Sequence, residues 1–156
     1  MKKRYIPTVL RFENAIVIEG SNGNRNISDL PGANVHSDFA KYNLNNGLGQ
    51  TTGQTPVLIC RIVKEEKPHK IFTALTYNLN KLVLTQNQIV DLVENYPDQI
   101  FPSEFCTLFL IKGANKFYVI SAYKYSKLHF FAEEITSKNI GSIFLHRYVA
   151  FPELVY

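Results

Sequence analysis

The sequence predicts an α+β fold: a largely antiparallel β-sheet built from hairpins, two helices packed on one face, and a long irregular Asn/Gly-rich insertion. Three observations carry this expectation. Residues 104–125 read EFCTLFLIKGANKFYVISAYKY, two β-branched and aromatic runs joined across Lys112, Gly113, Ala114, Asn115 and Lys116, which is the pattern of a β-hairpin. Residues 85–96 have a helical period with start and stop signals. The order of elements, β-β, irregular region, β-β, α, β-β, α, β, lacks the regular βαβ alternation of a parallel sheet.

Taken in order, residues 5–12 and 15–19 read as a hairpin turning at Glu13-Asn14, with Pro7 placing its start at a sheet edge because proline has no N–H for a ladder. Residues 20–55 change character. Asn22, Asn24, Asn26, Asn34, Asn43, Asn45 and Asn46, with interspersed glycines, make this an irregular segment relieved by one short helical turn that Ser37 caps over Phe39, Ala40 and Tyr42. Gly47-Leu48-Gly49-Gln50-Thr51-Thr52-Gly53 reads as a flexible connector rather than a phosphate loop, since no Lys-Ser or Lys-Thr follows its last glycine. Residues 56–63 and 71–77 read as strands around a charged turn, 64–70, whose Glu65-x-Lys67 beside Pro68 is a solvated feature rather than a nuclease element.

Thr85 and Gln88 form a capping box, Ile89, Leu92, Val93 and Tyr96 share one helix face, and Pro97 ends the helix. In the organising hairpin, Phe105, Thr107, Phe109 and Ile111 face one way and Cys106, Leu108 and Leu110 the other, so the first strand has no polar face and belongs at the sheet's centre. Ser126 is read as the cap of a second helix, 127–137, with Leu128, Phe131, Ala132 and Ile135 buried and His129 paired with Glu133 one turn away. Residues 142–151 form the last strand, and the apolar end from Phe151 to Tyr156 packs back on the domain.

A chain of 156 residues fits a single domain, 1–156, that buries a core without staples. Cys60 and Cys106 fall inside core strands and read as buried thiols of a reducing compartment. With no secretory signal and no run long enough to span a membrane, the expected setting is cytoplasmic, including an intracellular product of a virus or mobile element. Lys2, Lys3 and Arg4, a basic arm at 1–4, supply three of the 17 basic side chains, and the remainder nearly match the 13 acidic ones. The body is close to neutral, which weakens the nucleic-acid signal of the net charge of +4.

Three functions follow from different residues. The first is a protein-interaction or inhibitory module with a protein partner, in which the Asn/Gly-rich segment presents Phe39, Tyr42 and Leu44 as anchors. The second is a metal-free ribonuclease in which His129, His146 and Arg147 exchange protons and stabilise phosphorane charge, although His146 and Arg147 alternate in facing along their strand. The third is RNA or DNA binding, with Tyr123 and Tyr125 stacking bases while Lys112, Lys116 and Lys124 meet phosphates. His36 and Asp38 are close in sequence but lack a second ligand pair, so no metal and no cofactor is expected.

Overall fold

The computed structural model describes residues 6–45, 49–102, 106–136 and 146–154. Its strands are β1 (Leu10–Ile18), β2 (Asn34–Val35), β3 (Thr55–Ile62), β4 (Cys106–Lys112), β5 (Phe117–Tyr125), β6 (Lys127–Glu134) and β7 (His146–Pro152). Its α-helices are α1 (Asp38–Lys41), α2 (Pro68–Leu75), α3 (Gln86–Asn95) and α4 (Pro97–Ile100), with 3₁₀ turns at Ile27–Asp29 and Leu79–Leu82. All seven strands form one sheet in the order β1-β3-β7-β4-β5-β6-β2.

The sheet is mixed rather than largely antiparallel. β7 returns between β3 and β4 and runs parallel to β4, and β2 runs parallel to β6. The β4–β5 hairpin forms as expected, with Thr107 opposite Ala122 and Lys112 opposite Phe117. β4 lies in the interior of the sheet with every residue from Cys106 to Ile111 buried, as its two apolar faces require. In its loop, a Cβ on Gly113 would lie 2.6 Å from the Tyr118 ring, so glycine is needed there for close approach rather than for a positive φ.

Four local expectations are corrected. Residues 10–18 form one strand instead of a hairpin: Phe12 lies opposite Cys60 and Asn14 opposite Ile59, which leaves Glu13 as the extra residue of a bulge. Pro7 precedes this edge strand, its carbonyl accepting from the Leu10 amide. Residues 71–77 do not form a strand, because Pro68 opens α2 and puts Pro68, Ile71, Phe72 and Leu75 on one buried helical face. Residues 127–134 are a strand rather than a helix. Leu128, Phe130 and Ala132 alternate with His129, Phe131 and Glu133, and this two-residue period pairs with the waiting edge of β5. Ser126 caps no helix; at φ 53 it makes the tight reversal between β5 and β6.

The helices cover both faces, not one. α3 lies over Val57, Ile59, Phe109, Ile120 and Ala150, whereas α2 lies over Leu58, Cys60, Leu108, Val149 and Phe151. Thr85 accepts from the Gln88 amide while the Gln88 side chain accepts from Thr85, forming the capping box. Near the chain's end Leu154 packs against the α2 side, and Val155 and Tyr156 lie outside the described residues. So do residues 142–145 of the expected last strand.

Candidate functional site

The Asn/Gly-rich segment is fastened to the body at apolar and polar points alike. Phe39 is 0% and Leu44 4% exposed, so two of the three expected contact anchors belong to the core, together with Ile27 and Leu30. Tyr42 is half-buried, its ring 4.9 Å from Tyr118 and its hydroxyl 3.5 Å from Glu133 Oε2. Consecutive amide side chains at the start of α3 hold the polar points. Gln86 accepts from the Ile27 amide at 2.9 Å and donates to the Leu44 carbonyl at 2.8 Å. Asn87 accepts from the Arg25 amide, and Gln88 donates to the Thr55 hydroxyl. The Arg25 guanidinium meets Glu94 and lies 3.8 Å from Asp91. Hydrogen bonding to Arg25 lowers the Glu94 pKa, whereas burial raises that of Asp91.

Of the expected catalytic residues, His129 lies on β6 and His146 and Arg147 lie on β7. With 127–134 a strand, His129 and Glu133 share a sheet face four residues apart, about 13 Å along the strand, and do not form a helical pair. His146 begins β7 opposite Cys106, with β4 and β5 lying between β7 and β6, a separation of about 14 Å. The side chains of His146 and Arg147 lie outside the described residues.

The lysines do not form one stripe either. Lys112 reaches Asn80 Oδ1 at 3.0 Å and Lys116 reaches Glu134 at 3.4 Å, both beside the 113–116 loop. Lys124 lies at the other end of β5, about 23 Å away by strand rise. It also points to the opposite face from Tyr123 and Tyr125.

A different grouping emerges from strand pairing. Tyr123 lies opposite His129, Ser121 opposite Phe131 and Tyr125 opposite Lys127, and the two-residue period puts all six on the α2 face. α2 packs over β3, β7 and β4, and among the described residues no helix covers the Tyr123 end of that face. The Tyr123 ring stacks on His129 at 4.7 Å and 10° and lies nearly parallel to Phe131 at 5.9 Å and 8°. β2 sets Asn34 beside His129 and Val35 beside Phe130, which carries His36 to Phe131 with ring centroids 4.9 Å apart. The result is a half-exposed strip, His36, Phe131, Tyr123, His129, ending in Tyr125, which is 67% exposed, and Lys127.

Beside Tyr123, on the same face of the neighbouring strand, Cys106 is buried. Burial pushes the Cys106 thiol up to about 11, and burial followed by the nearby Cys106 raises the Tyr123 phenol. Burial, then Glu133, raises the Tyr42 phenol. At the near edge His36 Nδ1 lies 3.0 Å from Asp38 Oδ2 and 3.3 Å from the Asp38 amide. Asp38 is only 9% exposed, and its Oδ1 has no hydrogen-bond partner among the described residues. Asn34 Nδ2 is 3.4 Å from His129 Nδ1.

The sequence marks Tyr123, Tyr125 and His129 but not their grouping. His36 stands out in the sequence only beside Asp38, as a metal ligand lacking partners, and nothing local announces its contact with Phe131, which depends on a parallel pairing of two residues. Among the described residues no three His, Cys, Asp or Glu side chains are arranged to hold a metal ion. No helix among them is long and apolar enough to cross a membrane. Comparison with known proteins brings no outside guide to the strip: no protein-family model, curated protein or solved structure matches the chain.

Proposed function

We propose that the protein binds single-stranded nucleic acid by stacking bases on the strip formed by Tyr123, His129, Phe131 and Tyr125. The observation that carries this reading is the near-parallel packing of Tyr123 with His129 and Phe131 on a part of the sheet that no described helix covers. An aromatic ring on an open sheet face accepts any base, and such stacking contributes about 1–3 kcal/mol per base. Lys127 on the same face supplies positive charge for the backbone.

One phosphate contact gives a shallow salt dependence, with a slope of log affinity on log salt of about −1 for a single strand. Fluorescence anisotropy with labelled single-stranded and duplex oligonucleotides tests the reading. Preference for the single strand is expected, with binding lost in a Tyr123→Ala, Tyr125→Ala double variant and kept in a Lys112→Ala, Lys116→Ala double variant. Absence of binding, or an equal loss in both variants, overturns it.

A further inference from the structure

We infer that the strip selects unstacked, pyrimidine-rich single strands laid along β5 and β6; this rests on the strip being where nucleic acid binds. The selection comes from the pitch of its rings. Tyr123 and Tyr125 stand two residues apart on the same face of β5, a rise of about 6.8 Å along the strand. Stacked bases in a nucleic-acid strand rise by about 3.4 Å, half of that. Two consecutive bases can therefore rest on the two tyrosines only after they have separated from each other.

The ring spacings also fix the direction in which a ligand runs. A base held between two parallel rings needs them about 6.8 Å apart, twice the stacking rise. Across the strands the rings are closer than that, Tyr123 to His129 at 4.7 Å and Tyr123 to Phe131 at 5.9 Å, so no base enters between them. A nucleic-acid strand running along the sheet instead meets Tyr123 and then Tyr125, with Lys127 opposite Tyr125 to take a phosphate.

The pitch cannot contract to suit a stacked ligand. Every residue of β5 from Tyr118 to Tyr125 is paired with β6, and the Tyr123 ring is braced by His129 and Phe131. The whole change of spacing therefore falls on the nucleic acid, and its cost depends on the bases. Adjacent purines overlap through fused rings and hold together in a free strand, whereas adjacent pyrimidines overlap little and separate readily. Either kind offers a π-face to a tyrosine, so the ring–base contact tolerates both and self-stacking in the free strand decides between them. The preference that results is modest and owes nothing to hydrogen bonds on base edges.

The test uses fluorescence anisotropy of the full chain with labelled thymidine and deoxyadenosine homopolymers of equal length at one salt concentration. The thymidine strand should bind about 3–10-fold more tightly, the scale of one lost stacking step. In Tyr125→Ala a base can rest on Tyr123 without leaving its neighbour, so both strands should bind more weakly and the preference should fall toward one. Tyr125 is largely exposed, so this variant should melt like the parent. Lys127→Ala should weaken both strands alike and keep the preference. Equal affinity of the parent for the two strands, or tighter binding of deoxyadenosine, overturns the inference and leaves the binding reading standing. A preference that persists undiminished in Tyr125→Ala overturns it too, since ring pitch would not be its source. Binding of neither strand overturns both the inference and the reading on which it rests.

Discussion

Phe39 stands between Asp38 and Ala40 in the Asn-rich segment, and Tyr123 stands between Ala122 and Lys124 near the end of a strand, and the sequence offers both as contact residues. The fold separates them. Phe39 is fully buried under the edge of the sheet, and Tyr123 keeps part of its ring in solvent. The difference lies in the layer that faces each ring. The segment before β3 brings its own apolar pegs, Ile27, Leu30, Phe39 and Leu44, to a face that α3 already covers, whereas the β5–β6 end of the opposite face meets no described helix. Whether an aromatic side chain is available for recognition is thus decided by what lies across from it and not by the polarity of its neighbours in the chain.

The largest expected effect tests the buried side of that contrast. Phe39→Ala should cost about 3–5 kcal/mol of stability, the usual penalty for emptying a fully buried aromatic site, while Tyr123→Ala should cost clearly less. Urea unfolding of the two variants gives the comparison directly. A Phe39→Ala protein as stable as the parent would mean that the segment is displayed rather than pinned, and the protein-interaction reading would regain its anchor.

The next effect tests how dry the sheet is beside the strip. Since burial holds the Cys106 thiol at about 11 against an ordinary 9.0, the unfolded chain loses that proton first as pH rises. Stability is therefore fully present below about pH 9 and falls by about 2–3 kcal/mol as pH approaches the folded value. Chemical denaturation at pH 8 and 10.5, with Cys106→Ala as the control, measures it. A thiol that alkylates rapidly in the folded protein at pH 8 would show water reaching the sheet beside Tyr123 and break the contrast from the other side.

How much of this is legible in the sequence depends on whether the deciding contact is local. The 85–96 helix can be read because Thr85, Gln88, Pro97 and the spacing of Ile89, Leu92 and Val93 are all local signals, and the β4–β5 hairpin because both strands and their loop are contiguous. Residues 127–134 mislead because Leu128, Phe131 and Ala132 satisfy a helical period while Leu128, Phe130 and Ala132 satisfy a strand period, and only the open edge of β5 chooses between them. The same non-local choice, a parallel pairing of β2 with β6, brings His36 to the strip. The place of β7 between β3 and β4 is equally invisible locally, since any apolar strand fits a central slot.

A smaller effect separates the polar hooks from the apolar pegs. Gln86→Ala removes the acceptor of the Ile27 amide and the donor to the Leu44 carbonyl in a partly buried setting, so about 1–2 kcal/mol should be lost. Amide hydrogen exchange at Ile27 should rise with it. Unchanged exchange there would mean that the apolar pegs alone hold the segment and that the row of amides on α3 is incidental.

The smallest effect lies at the turn that aims the outer end of the strip. Ser126 sits at φ 53 between the paired residues Tyr125 and Lys127, a left-handed conformation that disfavours a residue bearing a Cβ by about 1 kcal/mol or more. Glycine removes that strain but frees the unfolded chain, so Ser126→Gly should gain no more than about 0.5 kcal/mol. A β-branched residue keeps the strain and adds crowding at χ1, so Ser126→Val should lose more than the glycine gains. Because Tyr125 and Lys127 project from either side of this residue, the valine variant should also weaken oligonucleotide binding in proportion to its disturbance of the hairpin, and the glycine variant should leave it unchanged. If both variants bind and unfold like the parent, the reversal is set by pairing along β5 and β6 rather than by the residue at its tip, and the strip's outer end is held from the sheet side alone.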